Sequence, residues 1–224
     1  MSTGLPNVPK VPAGRGPTQS RRGETQQLGI VLLISIVGVM WLIEIINSLD
    51  SYRLDTDGGI HPRDFGRIWE VFTAPFLHAS WGHMLANTIP FVFMGLIIAL
   101  HGAKRLALVT AIVIVIGGLG TWLISPSGSV TVGASGVVFG FAGYLLTRGL
   151  FDRSALEIVT GALVGAIWGG ALLASLVPHT GVSWQGHLCG GIAGIIAAWL
   201  LADRQRAVER SSSPSSALDR ALAE

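Results

Sequence analysis

Gly133-Ala134-Ser135-Gly136-Val137-Val138-Phe139-Gly140-Phe141-Ala142-Gly143-Tyr144 decides how this chain is read. The stretch opens an apolar helix, which places it at the edge of a membrane or just inside it. Gly133 and Gly136 bracket a single serine, and glycine has no Cβ to hold another backbone away. Gly136 and Gly140 add the small-xxx-small spacing that lets two transmembrane helices pack tightly. Ser135 therefore tops a helix that should have a very close neighbour.

The expected neighbour is Gly186-His187-Leu188-Cys189-Gly190-Gly191-Ile192-Ala193-Gly194, in the last apolar segment. Gly186, Gly190 and Gly194 fall four apart on one helix face, and His187 is one step from that stripe. Packing the two glycine faces together brings an imidazole near a hydroxyl. A serine hydroxyl is a weak nucleophile and needs such a base. The residues alone thus point to a serine–histidine pair built inside a membrane.

Composition agrees. Half of the chain is hydrophobic, 12% is charged and the mean hydropathy is +0.59. A soluble domain carries about 25% charged residues, so the chain reads as an all-α, polytopic membrane protein. Cys189 is the only cysteine, which excludes an intramolecular disulfide and a cysteine cluster for zinc. Residues 1–27 are polar and rich in Pro, Gly, Ser and Arg. They read as a disordered cytoplasmic tail and not as a cleavable signal peptide.

Six spans follow in the membrane unit, residues 28–202: 28–49, 81–100, 106–124, 133–150, 156–176 and 184–202. The fourth is short for a crossing, which a start buried in protein would accommodate. Residues 50–80 form a long first loop whose aromatic content suits the membrane interface. Glu44, near the outer end of the first span, is expected to snorkel or to bond a neighbour. Residues 203–224, with Arg204, Arg206, Arg210 and a serine run, read as a second disordered tail.

Lys and Arg set the orientation. Arg21/Arg22, Lys104/Arg105, Arg148/Arg153 and Arg204/Arg206/Arg210 fall on one side of the six-span arrangement, so both termini are placed in the cytoplasm. His83, Asn87, Ser135 and His187 then lie toward the outer ends of their spans, at one depth.

Each candidate has a blander reading. A membrane serine often only packs or bonds a carbonyl, and His83 and Asn87, which share a helix face, could cap or bridge helices. The functional alternative is that they donate to an anionic oxygen, where water is scarce and charge develops. His78, His101 and His179 read as interfacial or structural, with His78 the most interesting for its closeness in sequence to His83. Metal is disfavoured: no HExxH is present, and His78 and His83 are five apart. No metal and no cofactor are expected.

These residues resemble the rhomboid family of intramembrane serine proteases. Gly133-Ala134-Ser135-Gly136 matches the family's GxSG motif, His83-Met84-Leu85-Ala86-Asn87 its HxxxN motif, and Gly186-His187 the histidine of the sixth span. The resemblance implies a six-helix rhomboid-like bundle with Ser135 as nucleophile and His187 as general base and acid. It implies His83, Asn87 and the Ser135 N–H as oxyanion donors, with Gly133, Gly136 and Phe139 supporting. It further implies a fifth span and a loop near Pro178 that form a lateral gate and cap. No acidic residue orients His187, so a dyad is expected.

The chain departs from relatives at three points. Glu70 stands where many have arginine, Phe139 where several have a tyrosine stacked on the histidine, and a glutamate late in the second span is missing, with Ala99 or His101 nearby. The function implied is endopeptidase cleavage of single-span membrane proteins within or next to the bilayer, in a bacterial plasma membrane, with no nucleic acid as partner. The rivals are a non-catalytic rhomboid-like binder of membrane proteins and a small transporter, for which no internal repeat is evident.

Overall fold

The computed structural model describes residues 17–178 and 180–202. The readings of residues 1–16, His179 and residues 203–224 lie outside the described residues. Helix α1 (Pro17–Leu49) begins well before residue 28, so the stretch from Pro17 to Gln27 is helical where a disordered tail is expected. Proline suits a first helical position, and Gln, Glu and Arg propagate a helix well. Tertiary contacts hold this end: Gln26 Nε2 donates to the Leu100 carbonyl at 3.0 Å, and Gly29 packs on the backbone of Ala99.

The connection to the next long helix is ordered. It holds α2 (Arg53–Gly58), a 3₁₀ turn (Phe65–Arg67), α3 (Glu70–Thr73) and a second 3₁₀ turn (Ala74–Phe76). Glu70 is its hub and is fully buried. Its carboxylate accepts from the His61 N–H at 2.9 Å and from Arg67 Nε at 2.5 Å. Arg67 Nη2 in turn donates to the carbonyls of Thr56 and Asp57, at 2.7 and 2.9 Å. The acidic residue at position 70 therefore anchors the connection through a neighbouring arginine. Arg63 ties it to the bundle, donating from Nη1 to the Leu123 and Ser125 carbonyls at 2.7 Å each. Those carbonyls end a helix and would otherwise lack partners.

Helices α4 (Trp81–Ala99), α5 (Ala103–Ile112), α6 (Gly118–Ile124), α7 (Ser135–Phe151), α8 (Ala155–Ala174) and α9 (Trp184–Leu200) complete the fold. A π-helical segment, Val113–Gly117, joins α5 to α6 without a break. Among the described residues, four helices are long and apolar enough to cross a membrane: Gly23–Leu49, Trp81–Ala99, Ala103–Ile124 and Ala155–Ala174. The 17-residue α7 and α9 reach only about 26 Å at 1.5 Å per residue, short of a hydrocarbon core of about 30 Å. These two short helices carry Ser135 and His187.

Their shortness has a physical counterpart in their position. Phe141, Tyr144 and Leu145 of α7 and Ala193 and Ala197 of α9 are fully buried, together with Met84, Phe91, Met94 and Ile98 of α4. Each packs one face on the bundle, while Leu188, Ile192, Ile195 and Trp199 leave the other face of α9 apolar and exposed. The glycine faces of α7 and α9 meet as their spacing predicts. A Cβ on Gly190 would fall on the Gly136 carbonyl oxygen, and one on Gly194 on that of Gly140. The π segment packs against the same seam, with Val113 filling the space beside Gly140 and Gly117 lying against Gly190. On the outside, Ile34, Leu42, Ile89, Leu123, Leu163 and Ile167 are exposed apolar side chains, an area far larger than soluble monomers present to water.

Glu44 does not snorkel. It is completely buried, and its carboxyl oxygens have no hydrogen-bond partner among the described residues.

Candidate active site

Ser135 is the first residue of α7, entered through a turn in which Gly133 adopts φ +116°. An L side chain is strained at that angle, and a Cβ there would also sit 2.7 Å from His83 Cε1 and 3.4 Å from Asn87 Nδ2. Gly133 thus lets the HxxxN face of α4 approach the serine turn. The Gly133 N–H donates to the Ala74 carbonyl at 2.9 Å, and the Ala134 N–H to His78 Nε2 at 3.3 Å. The first-turn amides that follow have no intrahelical acceptor, and the positive end of the helix dipole favours negative charge beside them.

His187 lies in the first turn of α9, which Ser183 starts by accepting the Gly186 N–H at 3.3 Å. The Ser135 Oγ is 3.0 Å from His187 Nε2, and His187 Nδ1 is 2.8 Å from the Ser175 carbonyl oxygen. A carbonyl only accepts, so Nδ1 carries the proton. Nε2 then presents its lone pair to the serine hydroxyl, the tautomer a general base requires. Phe139, one turn into α7, stacks on the imidazole with centroids 4.3 Å apart and planes 3° from parallel. Stacking fixes the ring plane without a hydroxyl.

Opposite the pair, Asn87 is buried and its Nδ2 has no hydrogen-bond partner among the described residues. A buried donor left unpaired costs about 1–3 kcal/mol and stands ready for an acceptor that arrives with a substrate. His83, whose N–H is accepted by the Ser80 cap at 3.2 Å, lines the same space. A cavity of about 340 Å³ joins these groups; His83, Asn87, Ser135, Trp168, Leu172 and His187 line it. A larger hollow of about 680 Å³ shares His83 and is walled by Ser125, Ser129, Ser183 and Gln185. The polar groups among its lining can hydrogen-bond water.

Of the seven site residues singled out in the sequence, Ser135, His187, His83, Asn87 and Phe139 line this space between α4, α7, α8 and α9, while Gly133 and Gly136 flank Ser135 without lining it. Gly136 contributes by closeness, since a Cβ there would stand 3.4 Å from the Gly186 carbonyl. Ser175 was not legible, because the atom used is a backbone carbonyl that any residue supplies. Trp168 and Leu172 carry no signal beyond their place on α8. At the other end of the bundle, His101 Nε2 lies 2.9 Å from Glu157 Oε1. The region that lacks the second-span glutamate is therefore joined to α8 by a carboxylate from another helix.

Residues 66–204 match the Rhomboid domain family. The chain is 41% identical over 212 residues to the uncharacterized protein Rv1337 of Mycobacterium tuberculosis, covering 91% of this chain and 85% of that one. It is 26% identical over 179 residues to YdcA of Bacillus subtilis, a protein named as a candidate rhomboid protease, covering 79% of this chain and 89% of that one. Rhomboid-like protein 11, chloroplastic, of Arabidopsis thaliana is 31% identical over 157 residues, 62% of this chain and 54% of that one.

Proposed function

The chain belongs to the rhomboid family, and on that premise we propose that it is an intramembrane serine endopeptidase acting through a Ser135–His187 dyad. Family membership and several long apolar helices make it a multi-pass membrane protein. The proposed unit is a six-span bundle over residues 28–202, with the first loop in the outer interface and both termini in the cytoplasm of a bacterium. The substrates are single-span membrane proteins whose helix unwinds locally to enter the cavity beside α8.

One observation carries the reading: the serine hydroxyl donates to a histidine whose other nitrogen is held by a carbonyl. Ser135 Oγ attacks the peptide carbonyl carbon as His187 Nε2 takes its proton. The oxyanion is received by Asn87 Nδ2, His83 and the Ser135 N–H, donors already in place. His187 returns the proton to the leaving amine, which breaks the C–N bond and leaves an acyl ester on Ser135. A water from the larger hollow, deprotonated by His187, then attacks the ester; His187 returns that proton to Ser135 Oγ as the acyl C–O bond breaks and the acid leaves. The Ser175 carbonyl takes the orienting place of the aspartate in soluble triads. It holds the tautomer while adding no full negative charge.

Cleavage of a single-span substrate by the purified chain in detergent tests this. The parent should cut and Ser135→Ala should not; a Ser135→Ala chain that cuts equally would refute the reading. Tight binding of spans with no cleavage of a diverse panel would favour the non-catalytic binder.

A further inference from the structure

We propose that His78 is the positioning residue of the nucleophile turn: its imidazole, on a loop tied to the end of α1 by Asn47, accepts the Ala134 amide hydrogen and so fixes where Ser135 points. The inference rests on the protease reading above and names a residue outside the dyad and the oxyanion donors.

His78 is completely buried, so it touches no substrate and acts only through its neighbours. Two of them belong to the site. The Ala134 N–H, one residue before the nucleophile, donates to His78 Nε2 at 3.3 Å. The ring of His83 meets that of His78 edge to face, with centroids 5.2 Å apart. Helix α7 has no capping side chain of its own at Ala134, and an N-terminal amide left without an acceptor in a buried place is costly. His78 supplies the missing acceptor from another part of the chain.

The acceptor role fixes the chemistry of the ring. Nε2 must keep its lone pair, so the proton sits on Nδ1 and the imidazole is neutral. Burial, and then the neighbouring His83, push its pKa down to about 4, opposed by the Phe76 carbonyl. The ring therefore stays an acceptor at neutral pH.

The placement of His78 is in turn secured by α1 and α2. Asn47, buried in the last turn of α1, donates from Nδ2 to Asp55 Oδ1 at 2.8 Å, and the same nitrogen lies 3.5 Å from the His78 carbonyl. A hydrogen-bonded path thus runs from α2 through the end of α1 to the loop that carries His78, and from its ring to the serine turn. The Ala134 amide is spent on His78, which leaves the Ser135 amide as the backbone donor for an oxyanion.

The test compares full-length parent, His78→Leu and His78→Gln in detergent. The readouts are the rate at which a fluorophosphonate probe labels Ser135, kcat and KM on a single-span substrate, and thermal unfolding. Leucine keeps volume and removes the acceptor; glutamine keeps an acceptor at similar reach. A displacement of the nucleophile by about 1 Å costs on the order of 10²-fold. His78→Leu should therefore label and turn over about 10²-fold more slowly at nearly unchanged KM, and His78→Gln should recover most of the loss. If His78→Leu fails to fold, Asn47→Leu, which loosens the loop without touching the ring, should slow labelling by about tenfold. Parent-like labelling of a folded His78→Leu, or of Asn47→Leu in its place, would overturn the inference alone. So would a glutamine variant that folds yet labels no faster than leucine. A parent chain that does not label at Ser135 would overturn the protease reading and this inference with it.

Discussion

His187 is oriented by Ser175: its Nδ1 donates to the Ser175 carbonyl at 2.8 Å while Nε2 accepts from Ser135 at 3.0 Å. Ser175 is the C-cap of α8, a helix with only Gly161 and Val164 buried. The tautomer of the base thus depends on where the end of the least embraced long helix lies. Because the group used is a main-chain oxygen, Ser175→Ala should keep kcat within about threefold of the parent. A loss near that of His187→Ala would show that the serine side chain does the orienting.

Asn87→Ala should lower kcat by about 10²–10³-fold, the usual cost of one oxyanion donor, with KM little changed. The same substitution removes a buried donor that has no partner among the described residues, so thermal stability should hold or rise. A fall in stability with kcat intact would assign Asn87 to structure instead.

The stacked ring of Phe139 should be replaceable by another aromatic and by nothing smaller. Phe139→Tyr should keep near-parent activity. Phe139→Ala should cost about tenfold in kcat, since a loosened imidazole spends less time in line with the serine. Steady-state kinetics on both variants decide it.

Two glycine substitutions should have opposite consequences. A Cβ at Gly190 lands on the Gly136 carbonyl, whereas one at Gly169 meets nothing within 4 Å. Gly190→Ala should destabilise by about 1–3 kcal/mol or more and abolish activity by parting α7 from α9. Gly169→Ala should be neutral or up to about 1 kcal/mol more stable. Thermal unfolding of the two variants measures the contrast.

His78 also sets a pH dependence of stability. Its folded pKa, about 4, lies below its ordinary 6.5, so the folded state favours the neutral ring. The stability this group contributes is present above pH 6.5 and is lost as pH falls toward 4. The full loss is on the order of 3 kcal/mol. His83 is the titratable ring that faces it. The melting temperature of His78→Gln should therefore fall less than that of the parent between pH 7 and 4.

The glycine seam was legible because small residues four apart define a helix face. The four polar site residues were legible for a related reason: such groups are costly inside apolar spans. The remainder depended on atoms that sequence does not mark. The Ser175 carbonyl and the Ala134 amide are main-chain groups, and nothing in the sequence marks His78 as the acceptor of that amide. Glu70 read only as a departure from relatives that carry arginine, yet its charge organises Arg67. The early start at Pro17 was hidden because composition reports apolar area and not the tertiary grip of Gln26 on Leu100.

The central claim is that Ser135 and His187 act as one chemical unit. The direct measurement is cleavage of a single-span substrate in proteoliposomes by parent, Ser135→Ala, His187→Ala and the double variant, with the cut site mapped by mass spectrometry. A dyad predicts cleavage within or beside the span by the parent and near-complete loss in each single variant. It also predicts no further loss in the double variant, because residues acting as a unit are not additive. Independent, multiplying losses, or undiminished cleavage by Ser135→Ala, would contradict it.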